Sequence, residues 1–198
     1  MDDRLIKYLS LYRATKPQQI AALEGEVWEA YGVDRAVIAL DMSGFSRITE
    51  RHGILHFLSL IQHMREVTRP IVETGGGEVV KYEADNMFAV TATADDALAV
   101  ATAIVAAFAR GNRSSDEASR IHVSIGIDYG RLLLIPGVEL FGGPVNFACK
   151  LGEDVAGRDE ILMTKVAYAR LTTSNVKAAG PIRHDISGVA LEAYSIRP

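Results

Sequence analysis

Residues 36–45 read AVIALDMSGF, and this stretch decides the fold. Five apolar residues, 36–40, predict a buried strand from the middle of a sheet. The strand delivers one acid, Asp41, to its carboxyl end, and Ser43 and Gly44 predict a turn before a helix that starts near Ser46. A carboxylate beside a core strand is costly to bury unless it is paired or holds a cation. The backbone N–H groups around Ser43, Gly44 and Phe45, at a helix N-terminus, suit a phosphate. Asp41 therefore either caps the following helix or, with this nest, serves a metal ion and a phosphate together.

Working outward, the chain alternates helix and strand signals. A helix is predicted over 46–74, bent near Gly53 and Pro70, followed by GGGEVVKYEADNMFAVTA at 75–92. That stretch predicts a hairpin with strands 78–82 and 87–91 and a tight turn at 83–86, which puts a second acid, Asp85, at a strand end. Asp95 and Asp96 open a helix whose apolar face carries Leu98, Ala101, Ile104, Val105 and Phe108. A polar loop, 111–120, leads to IHVSIGIDYGRLLLI, read as two strands meeting around 128–131. A helix over 144–157, a short strand from Ile161, a short helix over 165–171 and a final strand over 189–196 complete the pattern. Upstream, residues 1–33 predict two amphipathic helices, the first with Leu5, Tyr8, Leu9 and Tyr12 on one face, the second running from Pro17 to Gly32 with Ile20, Leu23, Val27, Trp28 and Tyr31 as its stripe. Packing against the domain is the expected use of those faces.

Composition bounds the function. The 198 residues are 48% hydrophobic, enough for one full core and an appendage. A formal net charge of −4, with no Lys/Arg cluster, argues against a nucleic-acid or anionic-membrane surface. The single cysteine, Cys149, excludes an internal disulfide and a cysteine-only zinc site. The longest apolar run is too short to span a bilayer and the first ten residues lack a signal-peptide pattern, so a cytoplasmic protein is expected.

Four stretches in order, DMSGFSRITERHG, KYEADNMFAV, SIGIDYG and FGGPVNFACKL, closely resemble the class III nucleotidyl cyclase domain over residues 34–196. The resemblance implies an α+β fold with a ferredoxin-like βαββαβ core at 34–198, preceded by a two-helix extension at 1–33. It implies a head-to-tail homodimer that converts a nucleoside triphosphate to a 3′,5′-cyclic nucleotide and pyrophosphate, and it puts Asp41, Met42 and Asp85 at a site for two Mg2+ or Mn2+ ions. Such ions would lower the pKa of the ribose 3′-hydroxyl and neutralise the departing pyrophosphate. From the partner subunit, Asn146 would orient the ribose and Lys150 would meet charge on the phosphates. Lys150 stands where the family usually has arginine, which sacrifices the planar fork. Ser124 stands at a strand position that commonly carries arginine, and SGVALEAYSI has no lysine where one often meets phosphate. Arg47, Arg51 and Arg131 are the substitutes at hand.

The family's base-reading positions map onto Lys81 and Glu139. A lysine donates to a ring nitrogen and a carboxylate accepts from an exocyclic amine, a pattern offered by adenine and by cytosine. ATP is the expected substrate, with CTP or another pyrimidine nucleotide as the alternative, as in stand-alone cyclases of antiphage signalling. A competing reading is a weak or inactive cyclase-like domain that binds nucleotide or dimerises.

Overall fold

The computed structural model describes residues 2–43, 50–173, 176, 178–186 and 189–196. Strand β1 spans Gly32–Met42, longer at both ends than the apolar run alone predicts. Helix α3 (Ile54–Thr74), strands β2 (Glu78–Glu83) and β3 (Asn86–Thr91), helix α4 (Ala94–Asn112) and strand β4 (Val123–Ile135) follow in chain order. The strands lie in the order β2-β3-β1-β4 with every neighbouring pair antiparallel, which is the ferredoxin-like βαββαβ arrangement. Past β4 the sheet continues through β6 (Ile161–Thr164), parallel to β4, then β8 (Val189–Ile196) and β7 (Ala178–Ile186), while β5 (Glu139–Phe141) pairs with the end of β4.

The two faces of β1 explain its unbroken apolar run. Ile38, Leu40 and Met42 turn to one side and join Phe57, Met64 and Ile104 under α3 and α4. Val37 and Ala39 turn to the other and meet Val145 and Ala148 of helix α5 (Gly143–Cys149). Asp41 lies two residues beyond Ala39 on this second face. The chain then passes from α5 into one wider π-helical turn, Lys150–Val155, so the helix expected over 144–157 is a short α-helix with a π continuation. This segment sits directly on the sheet because Gly126 and Gly152 let backbone meet backbone. A Cβ on Gly126 would run into the Ala148 carbonyl, and one on Gly152 would come within 2.7 Å of Ala39 O.

Several expectations change. Residues 121–135 form one continuous strand from Val123, not two, because β4 stays in register with β1 from Met42 back to Gly32. Its glycines are there for close approach and not for a turn: the position a Cβ of Gly130 would take is 2.9 Å from Pro144 Cγ. The helix expected from Ser46 falls partly on residues outside those described; residues 50–52 are helical, Gly53 breaks the run at φ +84°, and α3 then passes through Pro70 uninterrupted. The N-terminal helices α1 (Asp3–Ala14) and α2 (Pro17–Tyr31) bury Leu5 and Tyr31 against Ile135 at the end of β4, with Tyr8 and Val27 alongside. Leu9 and Tyr12, expected on the packed face, are 47% and 42% exposed.

Candidate active site

The β1–β3 pairing brings the two expected acids together. Asp41 is the register partner of Asn86 on β3 and of Ser124 on β4, and Asp85 is the residue just before Asn86, in the two-residue turn Ala84–Asp85. The turn is tight enough to hold Ala84 at φ +49°. With its amide nitrogen turned toward β1, Asn86 donates to Leu40 O at 3.2 Å and Asp41 Oδ1 at 3.0 Å, which ties the hairpin to the end of β1.

Burial pushes the Asp41 carboxyl up from 3.8 to about 7, and the nearby carboxylates of Asp85 and Glu153 push the same way. Glu153, from the π turn, is itself raised by burial, then by Asp154 and by Asp85. Nothing in the sequence pattern singles Glu153 out, because only the wider turn aims it at the strand ends. The donor set is all hard oxygen, since burial, reinforced by Glu153, pushes the half-buried Cys149 thiol up to about 11 and keeps it protonated. Magnesium or manganese suits such donors. Among the described residues no three His, Cys, Asp or Glu side chains form a ready-made metal cluster, so Asp41, Asp85 and the Met42 carbonyl would leave most coordination positions to substrate oxygens and water.

The raised carboxyl has a consequence for stability. Between pH 3.8 and about 7 the folded chain holds a proton on Asp41 that the unfolded chain releases, so the contribution of this group falls as pH rises through that window. Asp41→Asn is expected to stabilise the metal-free protein at pH 8 by about 1–2 kcal/mol, which raises the melting temperature by roughly 2–8 °C, and to do so by far less at pH 4. Mn2+ should stabilise the wild type and not the variant. Scanning calorimetry at both pH values checks this, and a variant that melts below the wild type at pH 8 would refute it.

Beyond Asp41, the Ser43 N–H donates to His122 O at 2.9 Å, and the Ser43 and Ser124 hydroxyls share a hydrogen bond of 2.9 Å. Ser124, 5% exposed, thus anchors the turn after Asp41 at the place where the family resemblance puts a cation. Gly44 and Phe45 of the expected phosphate nest, and Arg47, lie outside the described residues. Arg131 is engaged elsewhere, its guanidinium 5.1 Å from the Trp28 ring centroid, and Arg51 is exposed.

Lys81 and Glu139, 58 positions apart, meet: Lys81 Nζ lies 2.9 Å from Glu139 Oε1, and it also donates to Glu83 at 2.9 Å and rides 5.1 Å above the Phe88 ring. Burial draws the lysine pKa down, but the bonds to Glu139 and Glu83 outweigh it and leave Lys81 above its ordinary value, so it is a charged donor. Glu83 is a partner the sequence reading missed, although a residue two along a strand shares its face. Asn146 is exposed near the start of α5 and Lys150 is half-buried at the first position of the π turn.

The comparisons follow the geometry. No protein-family model matches the chain. A curated protein from Rhizobium meliloti (strain 1021), named "Putative adenylate cyclase 3", is 30% identical over 116 residues, 59% of this chain and 20% of that protein, so the chain spans about a fifth of its length. The crystal structure of an adenylate/guanylate cyclase/hydrolase from Silicibacter pomeroyi matches with a TM-score of 0.71 at 25% identity, covering 84% of this chain and 98% of that one. The guanylate cyclase domain of RhGC from Catenaria anguillulae, solved with GTP, matches with a TM-score of 0.71 over 83% of this chain and 96% of its own; at 17% identity the likeness is one of fold. Among the described residues no helix is long and apolar enough to cross a membrane.

Proposed function

We propose that this chain, which carries the catalytic domain of a class III nucleotidyl cyclase, converts a nucleoside triphosphate to its 3′,5′-cyclic monophosphate and pyrophosphate in a site shared between two copies. The observation that carries the reading is the placing of Asp41 and Asp85 side by side at the ends of β1 and the β2–β3 hairpin, where burial and mutual repulsion call for a cation. Two Mg2+ or Mn2+ ions there would acidify the ribose 3′-hydroxyl and draw charge from the triphosphate. Asp41, Asp85 and the Met42 carbonyl would hold them; with the Ser43 N–H taken by His122 O, Ser43 anchors the segment and the N–H groups of Gly44 and Phe45 would receive phosphate. Asn146 and Lys150, from the second copy, orient the ribose and balance charge as pyrophosphate leaves. In this assignment the two helices up to Tyr31 extend a catalytic domain that begins with β1 at Gly32, two residues before the boundary at 34 that the resemblance implies.

Lys81 and Glu139 read the base. Held in one ion pair, they present a donor and an acceptor at a fixed spacing, which matches N1 and N6 of adenine or N3 and N4 of cytosine. Guanine or uracil would set a carbonyl against the carboxylate, a mismatch of about 1–3 kcal/mol or roughly 5- to 150-fold. ATP leads because the curated relative is named an adenylate cyclase, with CTP, the pyrimidine nucleotide of matching polarity, behind it. Lys81→Glu alone weakens the bias and crowds three carboxylates together. Exchanging the pair, Lys81→Glu with Glu139→Lys, restores the ion pair with reversed polarity and should move preference toward GTP and UTP. Initial rates with the four triphosphates decide this, and an unchanged ranking in the exchanged variant overturns the assignment.

One observation favours a second reading, a domain that binds nucleotide with little turnover: Ser124 offers a hydroxyl, already bonded to Ser43, where a cation is expected. Incubation with each nucleoside triphosphate and Mn2+, followed by mass spectrometry for cyclic product, separates the two.

A further inference from the structure

A groove of about 860 Å³ runs between the end of α4 and the loop 157–160 that leads into β6. Arg110 and Arg113 line it from the helix and Arg158 from the loop, all three exposed. Among the described residues none of these guanidinium groups makes an ion pair or a side-chain hydrogen bond. The two acids of the groove are already spent on the fold. Asp159 Oδ2 is 2.6 Å from His122 Nδ1 while its Oδ1 accepts from the Val123 N–H, and Glu160 accepts from Ser195 Oγ and from the Gly157 N–H.

Three guanidiniums, none in an ion pair among the described residues, outnumber the two carboxylates of the concavity, against the background of a chain with a net charge of −4. The negative end of the α4 dipole accounts for Arg110 and Arg113 but not for Arg158, which stands on a separate loop. Guanidinium forks match the oxygens of phosphate, and the groove has the size of a small-molecule site. We propose that this groove binds a small phosphate-bearing anion and that its occupancy is felt at the Ser43 turn. The link is short. Asp159, next to Arg158, is held at φ +58° and donates its N–H to Val123 O at 2.7 Å; His122, bonded to the same carboxylate, accepts the Ser43 N–H through its carbonyl. An anion that draws Arg158 inward therefore pulls on the residue that fixes the strand start beside Asp41.

Binding in the groove does not depend on the cyclase reading, and the test is chosen to keep the two apart. The full chain, carrying Asp41→Ala and kept in a chelator so that the candidate active site holds no metal, is titrated with tripolyphosphate at constant ionic strength while backbone amide NMR shifts are recorded. Saturable shifts at Arg158, Asp159, Val123 and Ser43 are expected, with Arg158→Gln weakening the affinity about tenfold or more and Arg158→Lys by less. The variant with all three arginines changed to glutamine should lose the saturable shifts in the groove and at Ser43 together; a Ser43 shift that persists in it marks direct binding at the turn and overturns the link. Shifts that grow linearly and scatter over every basic residue, or a triple variant that binds like the parent, overturn the site. Saturable shifts confined to the groove, with Ser43 unmoved, overturn the link to the turn.

Discussion

Asp41→Ala and Asp85→Ala should each cut cyclisation by about a thousandfold or more, since in the proposed assignment each would remove a direct ligand from chemistry that gains several kcal/mol from its metal ions. The two losses should not add in the double variant, because either acid alone cannot hold the pair. The folded state should survive both changes. Asp85 lies in an exposed-side turn whose backbone geometry is set by Ala84, and Asp41 is a net cost to the metal-free fold once ionised. Turnover with Mn2+, measured beside far-ultraviolet circular dichroism, checks both parts. A variant that keeps more than about a tenth of the wild-type rate would contradict the assignment of the two acids as joint ligands.

Mixing Asp85→Ala with Asn146→Ala should recover about a quarter of the wild-type rate, though each is inactive alone. Random exchange makes half of the dimers mixed, and each mixed dimer has one intact site out of two, with the acids from one copy and the asparagine from the other. A site contained within one copy gives no recovery at any ratio. Native mass spectrometry of the mixture confirms that the copies have exchanged, so an absent recovery would count against the shared site. Asn146 suits the test because it is exposed near the start of α5 and carries none of the packing that Val145 and Ala148 supply.

What could be read in advance depended on whether the signal was local. The run 36–40 with Asp41 behind it, the hairpin around Asp85 and the apolar face of α4 each fit within a window of a few turns, and each stands where expected. The meeting of Lys81 with Glu139 is different, since nothing local joins residues 58 apart and only the family resemblance pointed to both. Strand β7 went unread because Gly180 and Pro181 demote a strand, yet at the edge of the sheet the missing proline N–H leaves no ladder bond unmade. Gly130 misled in the opposite way, falling where two strands were read to meet when its bare α-carbon serves to admit Pro144. Glu153 and the Ser43–Ser124 bond were invisible for a third reason: both depend on how the chain closes over the second face of the sheet, which no periodicity encodes.

The backbone contact at Gly126 and Gly152 bears on how a pair of copies could move. It welds the segment bearing Asn146 and Lys150 onto the strand bearing Asp41, with no side chain between them to act as a bearing. In the proposed dimer each copy would then move as one stiff body carrying half of each site, so that tightening around a nucleotide in one site would be passed to the other without loss, and the two sites would be coupled rather than independent.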